Sequence, residues 1–266
     1  MLKLAPFAGV ARAPFLLLPF TLIAAGAAAA FYDGAFSWRS TLLALLGLVS
    51  LHAAVNAFNE WSDMRTGIDL ATQRTPFSGG SGTLPAGGMS VRTALVFAIA
   101  CSLLGLAVGI WFLGRVGLVL LPIMVAGALC VLIYTDVLAR LGIGEVPATF
   151  MTFNLLLLNE FPDEAADRAG GRRNLVVLFG RRPAALAWAA AAVATPLSIV
   201  AAVGMSILPL PCLAACLPSL LLVGPMRWVV SDPMQPVPIP AMGANVAWNL
   251  ATNTVLAIAL VVATLF

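Results

Sequence analysis

The chain is poor in charge. Only 9% of its 266 residues are Asp, Glu, Lys or Arg, against roughly 25% in a soluble globular domain. A water-soluble fold of this length needs far more polar surface, so that class is excluded. Histidine occurs once, at His52, which rules out a poly-histidine metal site. The four cysteines, Cys101, Cys130, Cys212 and Cys216, all sit inside apolar runs without His or carboxylate partners. They read as small packing residues. Alternating strand patterns are absent, which argues against a transmembrane β-barrel. No cleavable leader is expected, because the apolar run after Lys3 and Arg12 is too long for one. No nucleic-acid partner is expected.

What remains is apolar. Hydrophobic residues make up 61% of the chain and the mean hydropathy is +1.02. A span needs about 20 apolar residues. Seven runs meet that demand: Pro14–Tyr32, Thr41–Phe58, Val91–Leu113, Val116–Tyr134, Pro183–Val203, Ile207–Val223 and Met242–Phe266. An eighth, Pro147–Leu158, is too short to cross alone. The expected fold is therefore all-α, a multi-span transmembrane bundle forming a single domain over residues 1–266, with membrane lipid as solvent. Pro209, Pro211 and Pro218 should bend or break the sixth run.

Basic residues fix the sidedness. Taking the N-terminus as one side, 12 of the 14 Lys and Arg residues fall there, and only Arg39 and Arg115 fall on the other. The positive-inside rule makes the richer side cytoplasmic, and the expected location is the inner (plasma) membrane. For the charge count to hold, Pro147–Leu158 either enters and leaves from the cytoplasmic side or is the stub of a lost helical pair.

Most of the acids are expected on the two longest cytoplasmic loops. One reads Asn59-Glu-Trp-Ser-Asp63 and continues to Gly67-Ile-Asp69. The other reads Asn159-Glu-Phe-Pro-Asp163 and continues to Asp167 and Arg168. The same Asn-Glu-aromatic-x-Asp pattern recurs 100 residues apart, as an internal repeat would. Steps of four place Asn59 with Asp63, and Asn159 with Asp163 and Asp167, on single helix faces. Carboxylates gathered this way repel and raise one another's pKa. A hard divalent cation with oxygen ligands removes the conflict, and Mg²⁺, which pairs few carboxylates with phosphate oxygens, suits best. Arg65, Arg74, Arg168, Arg172 and Arg173 flank the acids and suit a diphosphate. Gly79-Gly80-Ser81-Gly82 could bring backbone N–H groups to the same anion. His52 and Asn56 continue the Asn59/Asp63 face. Asn245, Asn249 and Asn253 line another helix face and should bind it to its neighbours.

On these motifs the chain resembles the UbiA family of intramembrane aromatic prenyltransferases. Asn59, Asp63 and Asp69 match the family's first motif, and Asp163 and Asp167 its second. Gly67-Ile-Asp69 is similar to the branch that prenylates dihydroxynaphthoate for menaquinone. The resemblance implies nine helices around a central cavity open to lipid. It implies Mg²⁺-dependent transfer from a polyprenyl diphosphate to an aromatic acceptor. It makes Asn59, Asp63, Asp69, Asp163 and Asp167 metal ligands, with Asp63 and Asp163 essential for catalysis. Asn59, Arg74, Arg168 and Arg172 would bind the diphosphate, and Tyr134 would sit near the allylic carbon. Only 24 residues separate Tyr134 from Asn159, where the resemblance implies a further helical pair. Open alternatives are transfer to hydroxybenzoate, homogentisate, a chlorophyllide, haem or a phosphosugar, and a shortened, non-catalytic isoprenoid-binding relative. A CDP-alcohol phosphotransferase lacks its required Asp-Gly here, and a transporter should carry its ionisable groups at mid-membrane.

Overall fold

The computed structural model describes residues 4–133 and 150–265. Among them every regular element is helical. Six helices are long and apolar enough to cross a membrane: Ala13–Tyr32, Trp38–Thr66, Val91–Val116, Arg181–Gly204, Leu210–Ser231 and Ile239–Ala263. The protein is an all-α, multi-pass membrane protein. The expected span Val116–Tyr134 is represented by a shorter apolar stretch, Leu118–Ala128. Its helix, Leu121–Ile133, runs to the end of the described segment. Tyr134, and most of the short stretch between Tyr134 and Asn159, lie outside the described residues.

We label the helices used below α1 (Leu4–Val10), α2 (Leu17–Tyr32), α3 (Trp38–Thr66), α4 (Ile68–Ala71), α5 (Val91–Val116), α6 (Leu121–Ile133), α7 (Phe150–Ala169), α8 (Leu175–Phe179), α9 (Arg181–Gly204), α10 (Val223–Ser231) and α11 (Ile239–Ala263). The chain divides into two compact units. One comprises Met1–Pro19, Leu42–Pro147 and Ala165–Asn174; the other comprises Phe20–Thr41, Ala148–Glu164 and Leu175–Phe266.

The two acidic segments are not loops, as their charge suggested. α3 runs through Asn59 and Asp63 to Thr66, and α7 runs through Asn159, Asp163 and Asp167 to Ala169. Charge ends an apolar run but does not break a helix. α3 stops only at Gly67, whose φ of 79° is left-handed and cheap for glycine alone.

In the first unit, Val10, Ala57, Leu84, Met89, Ala94 and Ala98 form a buried core. Phe7 of α1 packs edge-on against Phe97 of α5, with ring centroids 5.3 Å apart. These contacts hold the N-terminal segment beside the C-terminal half of α3.

In the second unit, Pro209 precedes a 3-10 helix, Leu210–Leu222, which passes into α10. The prolines remove backbone donors that a continuous α-helix needs, so this span is broken as expected. Cys212 packs with Ala28, Ala257 and Leu260, as a small apolar residue. Asn245 and Asn249 donate to the carbonyls of Asn154 and Met151, each at 2.9 Å. The asparagine face of α11 thus joins it to α7 by interhelical hydrogen bonds.

Arg181, at the start of α9, ties together three segments of that unit. It donates to Glu164 Oε2 at 3.1 Å, to the carbonyl of Phe161 at 3.2 Å, and to those of Pro233 and Gln235 at 2.9 Å each. Its guanidinium also lies over the Phe161 ring. A cation so paired strands several acceptors when lost, at about 3 kcal/mol. Arg181→Ala is expected to lower the thermal midpoint of the detergent-solubilised protein. An unchanged midpoint would show that this junction contributes nothing to stability.

Candidate functional site

The first unit gathers acids from both sequence motifs. Glu60 and Asp63 lie one turn apart near the end of α3 and are both buried. Asp69 sits in the first turn of α4 and is 2% exposed. Asp167, near the end of α7, is 3% exposed. Buried carboxylates need cations or donors close by, and the surrounding contacts supply them.

Arg172 serves two of the acids. Its Nη2 pairs with Asp63 Oδ1, and its Nη1 lies 3.4 Å from Asp167 Oδ1. Asn174 Nδ2 donates to the other oxygen of Asp167 at 2.8 Å. Burial pushes Asp167 up to about 6, against the lowering effect of Arg172. Asp69 is less well served. Its Oδ2 is buried without a hydrogen-bond partner. Burial, with the charges of Glu60 and Asp63, pushes it up to about 7.

Glu60 holds the glycine-rich loop. It is fully buried and pairs with Arg12 Nε at 3.0 Å. It also accepts from Ser81 N at 2.6 Å and Ser81 Oγ at 2.8 Å. Ser81 Oγ also lies 2.8 Å from Thr83 Oγ1, which can donate to it. The pinned loop lays Gly80 against Asp69. A Cβ at Gly80 would come within 2.5 Å of Asp69 Oδ1, so only glycine leaves that carboxylate where it is.

Of the residues singled out from sequence, Asp63, Asp69, Asp167 and Arg172 come together in this unit. Arg74 is exposed. It donates from Nη2 to the Asp69 carbonyl at 3.0 Å, bracing the loop backbone. Arg168 is exposed at the end of α7, and Asn59 is half-buried one turn before Asp63. Asp163 lies one turn before Asp167 on α7, in the portion assigned to the second unit. Tyr134 lies outside the described residues. Glu60, Arg12 and Asn174 were not singled out, and Ser81, whose backbone N–H was expected to face an anion, gives it to Glu60 instead. For Glu60 a signal existed, since both copies of the repeat carry Glu directly after Asn. Arg12 is 48 residues from its partner, and nothing local announces it.

Among the described residues, no group of three or more His, Cys, Asp or Glu side chains is arranged as a metal-ligand set. The donor chemistry nonetheless fits a hard divalent cation. All donors are carboxylate oxygens, and Asp69 holds one buried oxygen with no partner. Arg172 occupies the ground between Asp63 and Asp167 that such an ion would need.

The model of the UbiA prenyltransferase family matches residues 17–147, which contain the first acidic motif. The chain is similar to the UbiA prenyltransferase family over that stretch. Prenyl transfer is the general activity that this likeness supports. A solved structure concerned with "digeranylgeranylglyceryl phosphate synthase in membranes" is similar in fold, with a TM-score of 0.61 at 15% identity. The alignment covers 99% of each chain. No curated protein matches the sequence.

Glu60→Ala would leave Arg12 and the Ser81 N–H without their shared acceptor, a loss of about 3 kcal/mol. The variant is expected to unfold at lower temperature and to exchange the Ser81 amide faster. Wild-type exchange at Ser81 would show that Glu60 does not hold the loop.

Proposed function

We propose that the protein transfers a polyprenyl group from its diphosphate to an aromatic acceptor, at the cytoplasmic face of the plasma membrane. The supporting observation is the buried acid cluster, in which residues of both motifs meet a bridging arginine. Dihydroxynaphthoate is the first acceptor to test, on the likeness of Gly67-Ile-Asp69 to the menaquinone branch.

Asp63, Asp69 and Asp167 would hold Mg²⁺, and the motif resemblance assigns Asn59 and Asp163 to the same task. When bound, the ion neutralises charge that develops on the leaving diphosphate. Arg172, Arg168, Arg74 and Asn59 bind phosphate oxygens, with charge-assisted hydrogen bonds from the guanidinium groups. The allylic C–O bond breaks and its electron pair leaves on the diphosphate. A ring carbon of the acceptor then bonds to the allylic cation, and the ring loses the proton from that carbon. Apolar surroundings keep water from capturing the cation. Tyr134 is assigned a place near the allylic carbon by resemblance alone.

A second reading follows from the fold neighbour, whose name points to a glyceryl phosphate product. An alcohol acceptor would use the same diphosphate site and differ only in the nucleophile.

The test is radiolabelled prenyl transfer by the purified protein with polyprenyl diphosphate, Mg²⁺ and dihydroxynaphthoate. Product that EDTA abolishes, and that Asp63→Ala and Asp163→Ala each lose, is the expected result. Full activity in both variants would overturn the site. Diphosphate binding without product from any acceptor would identify a non-catalytic isoprenoid-binding protein.

A further inference from the structure

Arg172 has two demands on it. The reading above assigns its guanidinium to the diphosphate, yet the structure spends that guanidinium on two buried acids. It reaches Asp63 of the first motif with Nη2 and Asp167 of the second with Nη1. The placement is built in. α7 ends at Ala169, and the chain turns back at Gly171. Arg172 N then bonds to the carbonyl of Asp167 at 2.8 Å. Asn174 fixes the far oxygen of the same carboxylate. Arg168, four residues earlier, is exposed, so the turn selects Arg172 for the acids.

Two carboxylates at 5% and 3% exposure would repel each other and pay heavily for desolvation if left without a cation. The planar fork of arginine can serve both at once. A divalent ion taking the same oxygens must displace it. The displaced guanidinium then needs a new anion, and a diphosphate arriving with the metal supplies one.

We propose that Arg172 is a resident counter-cation, which neutralises Asp63 and Asp167 in the ligand-free protein and passes to the diphosphate when metal and diphosphate bind together. This rests on the diphosphate reading and goes beyond it. It makes binding of the two ligands cooperative. Metal alone must evict Arg172 without giving it a partner, and diphosphate alone meets a guanidinium already engaged. Together, each removes the other's obstacle, and the coupling is reciprocal.

The test follows thermal unfolding of the full chain in detergent, titrated with Mg²⁺ alone, farnesyl diphosphate alone, and both, since ligand that binds only the folded state raises the midpoint. In the wild type, each ligand alone is expected to give a small shift, and the pair a shift larger than their sum. Arg172→Gln exposes the acids to the ion. Its affinity for Mg²⁺ alone is expected to rise roughly tenfold, as expected for loss of a competing charged hydrogen bond, while the excess shift from the pair shrinks. Arg172→Lys keeps a cation that cannot bridge both acids, should fall between, and serves if the Gln variant does not fold. Unchanged or weaker Mg²⁺ binding in the variants, with metal-dependent diphosphate binding intact in the wild type, would overturn the counter-cation role alone. Wild-type protein that binds no farnesyl diphosphate with Mg²⁺ would overturn the diphosphate reading and this inference with it.

Discussion

Four carboxylates buried close together are the constraint on which the first unit depends. Glu60, Asp63, Asp69 and Asp167 cannot all remain charged away from water without compensation. Arg12 and Ser81 answer Glu60. Arg172 and Asn174 answer Asp63 and Asp167. Asp69 keeps one buried oxygen without a partner. Each answer recruits a distant piece of chain: the N-terminal segment, the glycine-rich loop and the turn after α7. The acids therefore organise the backbone around them, and function is the natural reason to retain so costly an arrangement.

The second unit obeys the bilayer instead. Lipid offers no hydrogen bonds, so polar side chains at depth need protein partners. Asn245 and Asn249 find them on backbone carbonyls of α7. Arg181 gathers its acceptors from α7 and from the segment that follows α10. Where proline removes backbone donors, the span gives way to a 3-10 helix ahead of α10.

Much of this was legible in the residues. Length and hydropathy located the spans, because about 20 apolar residues is a demand the bilayer makes directly. The prolines announced the broken span. The repeated Asn-Glu-aromatic-x-Asp pattern marked the two acid groups, since steps of four align them on helix faces. Helix ends were misread, because a charged residue stops an apolar run without stopping a helix; only Gly67 does that on α3. The partners of the acids were not legible. Arg12 meets Glu60 across 48 residues, and Arg172 meets Asp63 across 109. Such pairings depend on how helices pack, which no local pattern encodes. Arg181 shows the same limit: nothing in the local sequence announces the structural junction it forms.

The central claim is that the acid cluster of the first unit holds a divalent ion. Fe²⁺ substituted for that ion, with ascorbate and peroxide, generates hydroxyl radicals that cut the backbone near the metal. Mapping the fragments by mass spectrometry locates the ion without relying on turnover. The account predicts EDTA-sensitive cuts near Asp63, Asp69 and Asp167, lost in Asp63→Asn. Cuts confined to other parts of the chain, or none that EDTA suppresses, would contradict it.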